Sequence, residues 1–419
     1  MLNINDTLYF SSHVVNWYTR DIWDKVYKNV PPDGQWYLKV YEKVLPNRLI
    51  TRNGEWTTPW PQELIPKFRM PVYDPTFNKS FEQVTDENAL RIRDRILQGE
   101  KFAVMFSGGI DSTLVLSSLI KNLSKEELES VTVLCSGESI AENPVFYNKF
   151  IHEKMKTLDS KRHKYDDLIN LGLTPIISDE GDCIFGTLIG LNMYNSFDAL
   201  VDTVSGPVKE NLRLLKDKIS DPSIHYSAFK ELIIKFLDIP GDPNFGRILY
   251  DKYDHNVKTA TVPVHSLHDF FWWLIFNVKY YNCSVRGAIY INDTIDINTA
   301  IHRIHNWFND EDYQRWSMVN NNNGTKIKKS ILSYKTVAKE YIYSVDKNEW
   351  YRTFKTKLES LWNISNLQNV QNIPMEKRPV ARIAVKKDDW ELIHITDPGV
   401  IEYFTHHASN YKIDWTDIK

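Results

Sequence analysis

The stretch Phe102-Ala103-Val104-Met105-Phe106-Ser107-Gly108-Gly109-Ile110-Asp111-Ser112 constrains this chain more than any other. A short apolar strand, Lys101 to Phe106, runs into two glycines, and an apolar helical stretch, Thr113 to Leu123, follows at once. Glycine admits positive φ and lets the backbone approach a ligand closely. A helix start offers free N–H groups and the positive end of the helix dipole, so the six-residue loop Ser107 to Ser112 is built to hold an anion. Ser107 and Ser112 add hydroxyl donors. Asp111 repels a phosphate by itself and makes sense beside one if it holds Mg²⁺. The Lys that precedes Ser/Thr in the Walker pattern is missing. The plainer alternative is a tight strand-to-helix turn with a serine cap and no ligand.

Two further strands follow, Val131 to Cys135 and Thr174 to Ile177, each after a helical stretch. Strands alternating with helices predict an α/β fold with a parallel sheet and right-handed crossovers. From about residue 186 the pattern turns mainly helical. A chain of 419 residues exceeds one ordinary core. The expected organisation is an α+β segment at 1–85, the α/β domain with its helical region at 86–345, and a C-terminal extension at 346–419. In the first segment a strand is expected at Gln35 to Tyr41. A helix is expected to start near Thr85-Asp86-Glu87 with Thr85 as N-cap. In the extension, strands are expected at Ala381 to Val385 and Leu392 to Ile395, and Asn320 to Asn323 reads as a polar loop.

Formal charge is −3, which gives no bulk attraction to nucleic acid or an anionic membrane. The three cysteines, Cys135, Cys183 and Cys283, are far apart and form no CxxC or Cys/His metal spacing, so reduced thiols in the cytoplasm are the expectation. Residues 1–6 lack the basic and apolar regions of a secretory signal. The greasiest run, Phe270 to Val278, is far short of the ~20 residues a membrane helix needs and reads as a buried helix. Just before it, His265, His268 and Asp269 read as capping or packing residues rather than as a metal cluster.

Ser107 to Ser112 resembles the pyrophosphate loop of the N-type ATP pyrophosphatases, the PP-loop members of the HUP fold class. Those enzymes split ATP between the α and β phosphates, adenylate a substrate and let a nucleophile displace AMP. The loop is shared by several sub-families. The string Ile176-Ile177-Ser178-Asp179-Glu180-Gly181-Asp182-Cys183-Ile184-Phe185-Gly186 narrows the choice. It resembles the Ser-Gly-Glu-Gly-Ser-Asp-Glu-x-Phe-Gly-Gly stretch of asparagine synthetases and their β-lactam-forming relatives. It departs from that stretch at Asp179, Cys183 and Thr187.

The resemblance implies ATP and Mg²⁺ as cofactors. Ser107, Gly108, Gly109, Asp111 and Ser112 would bind the nucleotide, and Ser136, after the next strand, would lie near adenine and ribose. Glu180 would be the base or substrate-orienting group. Asp182 would be the second Mg²⁺ ligand beside Asp111, if one residue is deleted after Gly181. Lys335, in Tyr334-Lys335-Thr336-Val337-Ala338-Lys339, matches the family lysine that stabilises departing pyrophosphate. Lys329 is its competitor, and Arg352 and Lys355 follow at close to the family's spacing.

The family's glutaminase nucleophile is a Cys exposed after removal of Met; Leu2 stands there in this sequence, and glutamine hydrolysis is not expected. The amine partner would be free ammonia, ammonia from a separate donor, or another amine. The expected function is an ATP-dependent amide-forming ligase acting on a small-molecule carboxylate. The alternatives are a tRNA- or nucleobase-modifying PP-loop enzyme and a nucleotide-binding protein with a degenerate site.

Overall fold

A computed structural model describes residues 67–355 apart from short stretches, of which the longest are 187–192, 239–243, 285–301 and 323–334. It also describes residues 51–52 and three short strands near the C-terminus. The expected strand at Gln35 to Tyr41, the substitution Thr187 and the competitor Lys329 lie outside the described residues.

The elements used below are, in chain order, α1 (Phe81–Leu97), β1 (Lys101–Met105), α2 (Ile110–Asn122), β2 (Val131–Cys135), α3 (Gly137–Glu142), β3 (Lys156–Asp159), α4 (Tyr165–Asn170), β4 (Leu173–Ile177), α5 (Gly181–Phe185), α6 (Phe245–Lys258), α7 (Leu267–Leu274), β5 (His305–Asn306), α8 (Glu311–Asn322), α9 (Thr336–Asp346), α10 (Glu349–Phe354), β6 (Ala381–Ala384), β7 (Ile393–Ile395) and β8 (Lys412–Asp414). Strands β1 to β5 form an all-parallel sheet in the order β3-β2-β1-β4-β5. Phe102 pairs with Val131 on one side of β1 and with Thr174 on the other. Every residue of β2 is buried, and Phe102, Ala103 and Val104 of β1 are at most 1% exposed. That is the continuous apolar pattern of a central parallel strand covered on both faces. Strands β6, β7 and β8 make a separate antiparallel sheet in the order β7-β6-β8.

The chain divides into two compact units that interleave along the sequence. One takes in Thr85–Ser178, Arg303–His305 and Thr336–Lys419, and carries the glycine loop. The other takes in Met1–Val84, Asp179–His302 and Asn306–Lys335, and carries the second acidic motif.

Three local expectations are corrected. Helix α1 begins at Phe81 rather than near Thr85. Ser80 and Gln83 exchange hydrogen bonds, with Gln83 N donating to Ser80 Oγ at 3.1 Å and Ser80 N to Gln83 Oε1 at 2.8 Å. This reciprocal cap satisfies two orphan N–H groups, while Thr85 is buried inside the helix. Residues Asn320 to Asn322 continue α8 instead of forming a loop; Asn320 Nδ2 donates to the Trp316 carbonyl, one turn back. The string Tyr334 to Lys339 reads as helical in sequence, but Lys335 precedes α9 rather than lying in it, with a left-handed backbone at φ 48°.

The apolar run after Ser266 is a buried helix, as its composition requires. Ser266 and Asp269 form its capping box, and Phe270 through Ile275 are at most 2% exposed. In the same unit Arg52 is 8% exposed. Its guanidinium donates to the carbonyls of Phe68 and Arg69 at 3.0 Å and lies 3.7 Å from the Tyr280 ring centre. Among the described residues, no helix is long and apolar enough to cross a membrane.

Candidate functional site

In the first unit, the sheet order reverses between β1 and β4. Doubly wound sheets bind ligands outside the strand carboxyl ends at such a point. The glycine loop leaves β1 there. Helix α2 starts at Ile110, so Asp111 and Ser112 occupy its first turn. Its N-cap residue is Gly109, and no side chain caps the helix. Gly109 N donates to Ser107 Oγ at 3.2 Å, but no capping side chain consumes the N–H groups of the first turn of α2, as an anion site requires.

The loop is held in shape by its own hydroxyls. Ser107 N donates to Ser112 Oγ at 3.1 Å, and Ser112 Oγ lies 3.0 Å from Ser107 Oγ. Ser112 Oγ also reaches the Gly109 carbonyl at 3.2 Å. Gly108 has φ +75°, and a Cβ there would sit 2.4 Å from the Ser139 carbonyl and 2.7 Å from Glu142 Cβ. Two requirements, a left-handed backbone and contact with α3, therefore converge on glycine.

Sequence reasoning missed the partners of this loop. Tyr351 on α10 donates its hydroxyl to the Gly108 carbonyl at 3.1 Å. Lys355, just past α10, makes a 2.9 Å ion pair with Glu142 at the end of α3, and both side chains are 4% exposed. Lys339 on α9 donates to the Lys355 carbonyl at 3.3 Å, and burial holds its ammonium below the ordinary lysine range. The sequence placed Lys339 and Lys355 in a basic region. It carried no signal for Glu142, in the stretch that follows Ser136. That stretch is helical from Gly137, and Ser136 caps it by accepting from Ser139 N at 3.3 Å.

In the second unit, Glu180 is fully buried at the N-cap of α5. Its Oε1 accepts a hydrogen bond from Asn306 Nδ2, which also donates to the Ser284 carbonyl at 2.8 Å. Burial pushes the Glu180 carboxyl up to about 8, against the opposing hydrogen bonds from backbone and Asn306. Burial thus favours the neutral form of Glu180, which serves as a hydrogen-bonding group rather than a ready base.

Asp182 is held by two lysines. Lys335 Nζ lies 2.9 Å from Oδ1, and Lys279 Nζ 3.3 Å from Oδ2. Lys335 also lies 5.6 Å from the Phe185 ring centre. Gly186 ends α5 at φ +71°, and a Cβ would fall 2.6 Å from Trp272. The Phe-Gly of the second motif is therefore a helix stop pressed against α7. Cys183 Sγ and Cys283 Sγ lie 3.8 Å apart as buried thiols. Sequence reasoning found Lys335 and missed Lys279 and Asn306. A lone charge ending the run Phe270 to Val278 was the available signal for Lys279, since lysine is seldom buried without a partner.

A magnesium ion carried by nucleotide phosphates needs one or two protein carboxylates, with waters and phosphate oxygens completing its shell. Asp111, beside the glycine loop, is a donor of that kind. Asp182 does not fit as it stands, because both of its oxygens face ammonium groups. Among the described residues there is no cluster of three His, Cys, Asp or Glu side chains that could hold a metal. No family model matches the chain, and the searches of curated proteins and of solved structures return no match.

Proposed function

We propose that this chain is an ATP-dependent amide-forming ligase. It adenylates a small-molecule carboxylate, releases pyrophosphate and passes the acyl group to ammonia or another amine. The observation that carries the reading is the glycine loop, which joins a buried parallel strand to a helix that no side chain caps, at the reversal point of the sheet. In this reading the backbone N–H groups of Gly108 and the first turn of α2 bind phosphate oxygens, with the Ser107 and Ser112 hydroxyls beside them, while Gly109 N donates within the loop to Ser107 Oγ. Asp111 would hold Mg²⁺, which when bound offsets phosphate charge. Lys335 would stabilise the departing pyrophosphate, and protonated Glu180 would orient the carboxylate substrate by donating a hydrogen bond. Holding acid and ATP together supplies rate through proximity.

The test is an ATP–pyrophosphate exchange screen over amino acids and other carboxylic acids with the purified full chain. Exchange that depends on one acid, with AMP appearing once an amine is added, is the expected result. If no acid supports exchange and ATP is either untouched or cleaved to ADP, the ligase reading falls.

A second reading has a specific observation in its favour. Glu180 is buried with its carboxyl pushed up, and Asp182 is tied to lysines, so the second motif is arranged as a structural core. A nucleotide-binding protein without turnover would look like this. It would bind ATP in calorimetry and give neither AMP nor pyrophosphate with any acid.

A further inference from the structure

Lys279 stands out among the buried groups of the second unit. It is 6% exposed, yet its ammonium makes a single polar contact among the described residues, at 3.3 Å to Asp182. An ammonium carries three donors. Burying one with a single long bond is costly unless a second partner is supplied. The carboxylate it touches is already engaged at 2.9 Å by Lys335. Two ammonium groups thus converge on one carboxylate inside the same unit.

Two backbone features keep them there. Lys279 closes a π-helical turn, Ile275–Lys279, that continues α7. Such a turn shifts the phase of the following residues, and π-turns recur at functional positions. The flanking Phe276, Val278 and Tyr280 are fully buried, so the lysine is fixed by packing rather than by charge. Lys335 holds its place from a left-handed backbone, a conformation a non-glycine residue keeps only when its surroundings impose it.

We propose that Lys279 and Lys335 form a two-lysine oxyanion subsite for pyrophosphate, with the Asp182 carboxylate as its internal, displaceable occupant. This rests on the ligase reading for its biological ligand and adds Lys279 as an anion-binding residue. A phosphate oxygen takes the place of a carboxylate oxygen between the two ammonium groups. The added charge-assisted bonds supply the donors of Lys279 with partners beyond the one they have among the described residues. Asp182, once displaced, turns to other cations.

The test is calorimetric titration of the full chain with inorganic pyrophosphate in a chelator, so that no divalent cation contributes. Sulfate at equal ionic strength is the control. Wild type should bind pyrophosphate saturably and in preference to sulfate. Lys279→Met should weaken binding at least tenfold, and Lys279→Arg should restore part of it. Asp182→Asn should tighten binding several-fold by removing the internal competitor, a gain that a loosened fold cannot produce. Wild type that fails to bind pyrophosphate, Lys279→Met that binds like wild type, or Asp182→Asn that does not bind more tightly overturns the subsite. The two readings fail separately. Pyrophosphate bound through Lys279 without acid-dependent exchange sinks the ligase and keeps the subsite. Exchange that Lys279→Met leaves unchanged sinks the subsite and keeps the ligase.

Discussion

The glycine loop and the second acidic motif solve opposite problems. The hydroxyls of the loop bond within six residues, Ser107 to Ser112, and the helix start remains uncapped by any side chain. The second motif buries carboxylates whose partners come from far along the chain: Lys279 is 97 residues from Asp182, and Asn306 is 126 residues from Glu180. Local bonds cost little to form, because the chain is already near itself. Remote bonds exist only once the whole unit has folded. Damage to the loop's hydroxyl bonds should therefore stay local, and damage to the motif should spread through its unit.

Four variants test that contrast, in falling order of effect. Glu180→Gln should separate from wild type most strongly at high pH. Burial raises the folded carboxyl to about 8 from an unfolded value near 4.5. A group raised in this way contributes stability that is complete below the unfolded value and is lost as pH climbs through the folded one. Glutamine keeps the neutral hydrogen bond and never ionises. Relative to wild type it should gain about 4 kcal/mol between pH 5 and pH 9, at ~1.4 kcal/mol for each unit. Urea denaturation at pH 5, 7 and 9 measures this, and an equal difference at all three would show that burial does not set the proton.

Asp182→Ala comes next. It removes the carboxylate that two buried ammonium groups share and should cost about 3–5 kcal/mol. Adding Lys279→Met should cost less than the sum of the two changes, by up to ~3 kcal/mol, because one unpaired charge goes with its partner. Strict additivity in denaturant melts would mean that the two groups do not sense one another.

Gly108→Ala brings the comparison back to the loop. It combines a left-handed residue with a backbone clash 2.4 Å away and should cost about 3 kcal/mol. Gly172→Ala is its control: φ is again +75°, but no atom lies within 4 Å, so only ~1 kcal/mol is expected. Equal costs would show that packing on α3 contributes nothing. Ser112→Ala should be the mildest, at about 1 kcal/mol for hydrogen bonds that are internal to the loop.

The strand, the two glycines and the helix of the loop were legible because each is a local preference. Apolar residues in a row, positive φ at glycine and a free helix start act between neighbours in sequence. The parallel sheet was legible for the same reason, as alternation of short apolar runs with helical stretches. The start of α1 was also written locally, in Ser80 and Gln83, but Thr85 offered a competing cap and only tertiary burial chose between them.

The partners of the site belong to a different kind of information. Lys335 was found from its sequence surroundings, but its backbone at φ 48° and its bond to Asp182 were not. Lys279, Asn306, Glu142 and Tyr351 carry no motif at all. Each acquires its role by being buried next to a group distant in the chain. Burial makes a polar contact obligatory, and which groups are buried together is decided by packing. The sequence by itself determined an α/β chain with a glycine loop between a parallel strand and a helix start. Only the tertiary structure decided that Asp182 is shared by two lysines and that the Glu180 carboxyl is pushed up, because desolvation is a property of the assembled core and not of any neighbouring residue.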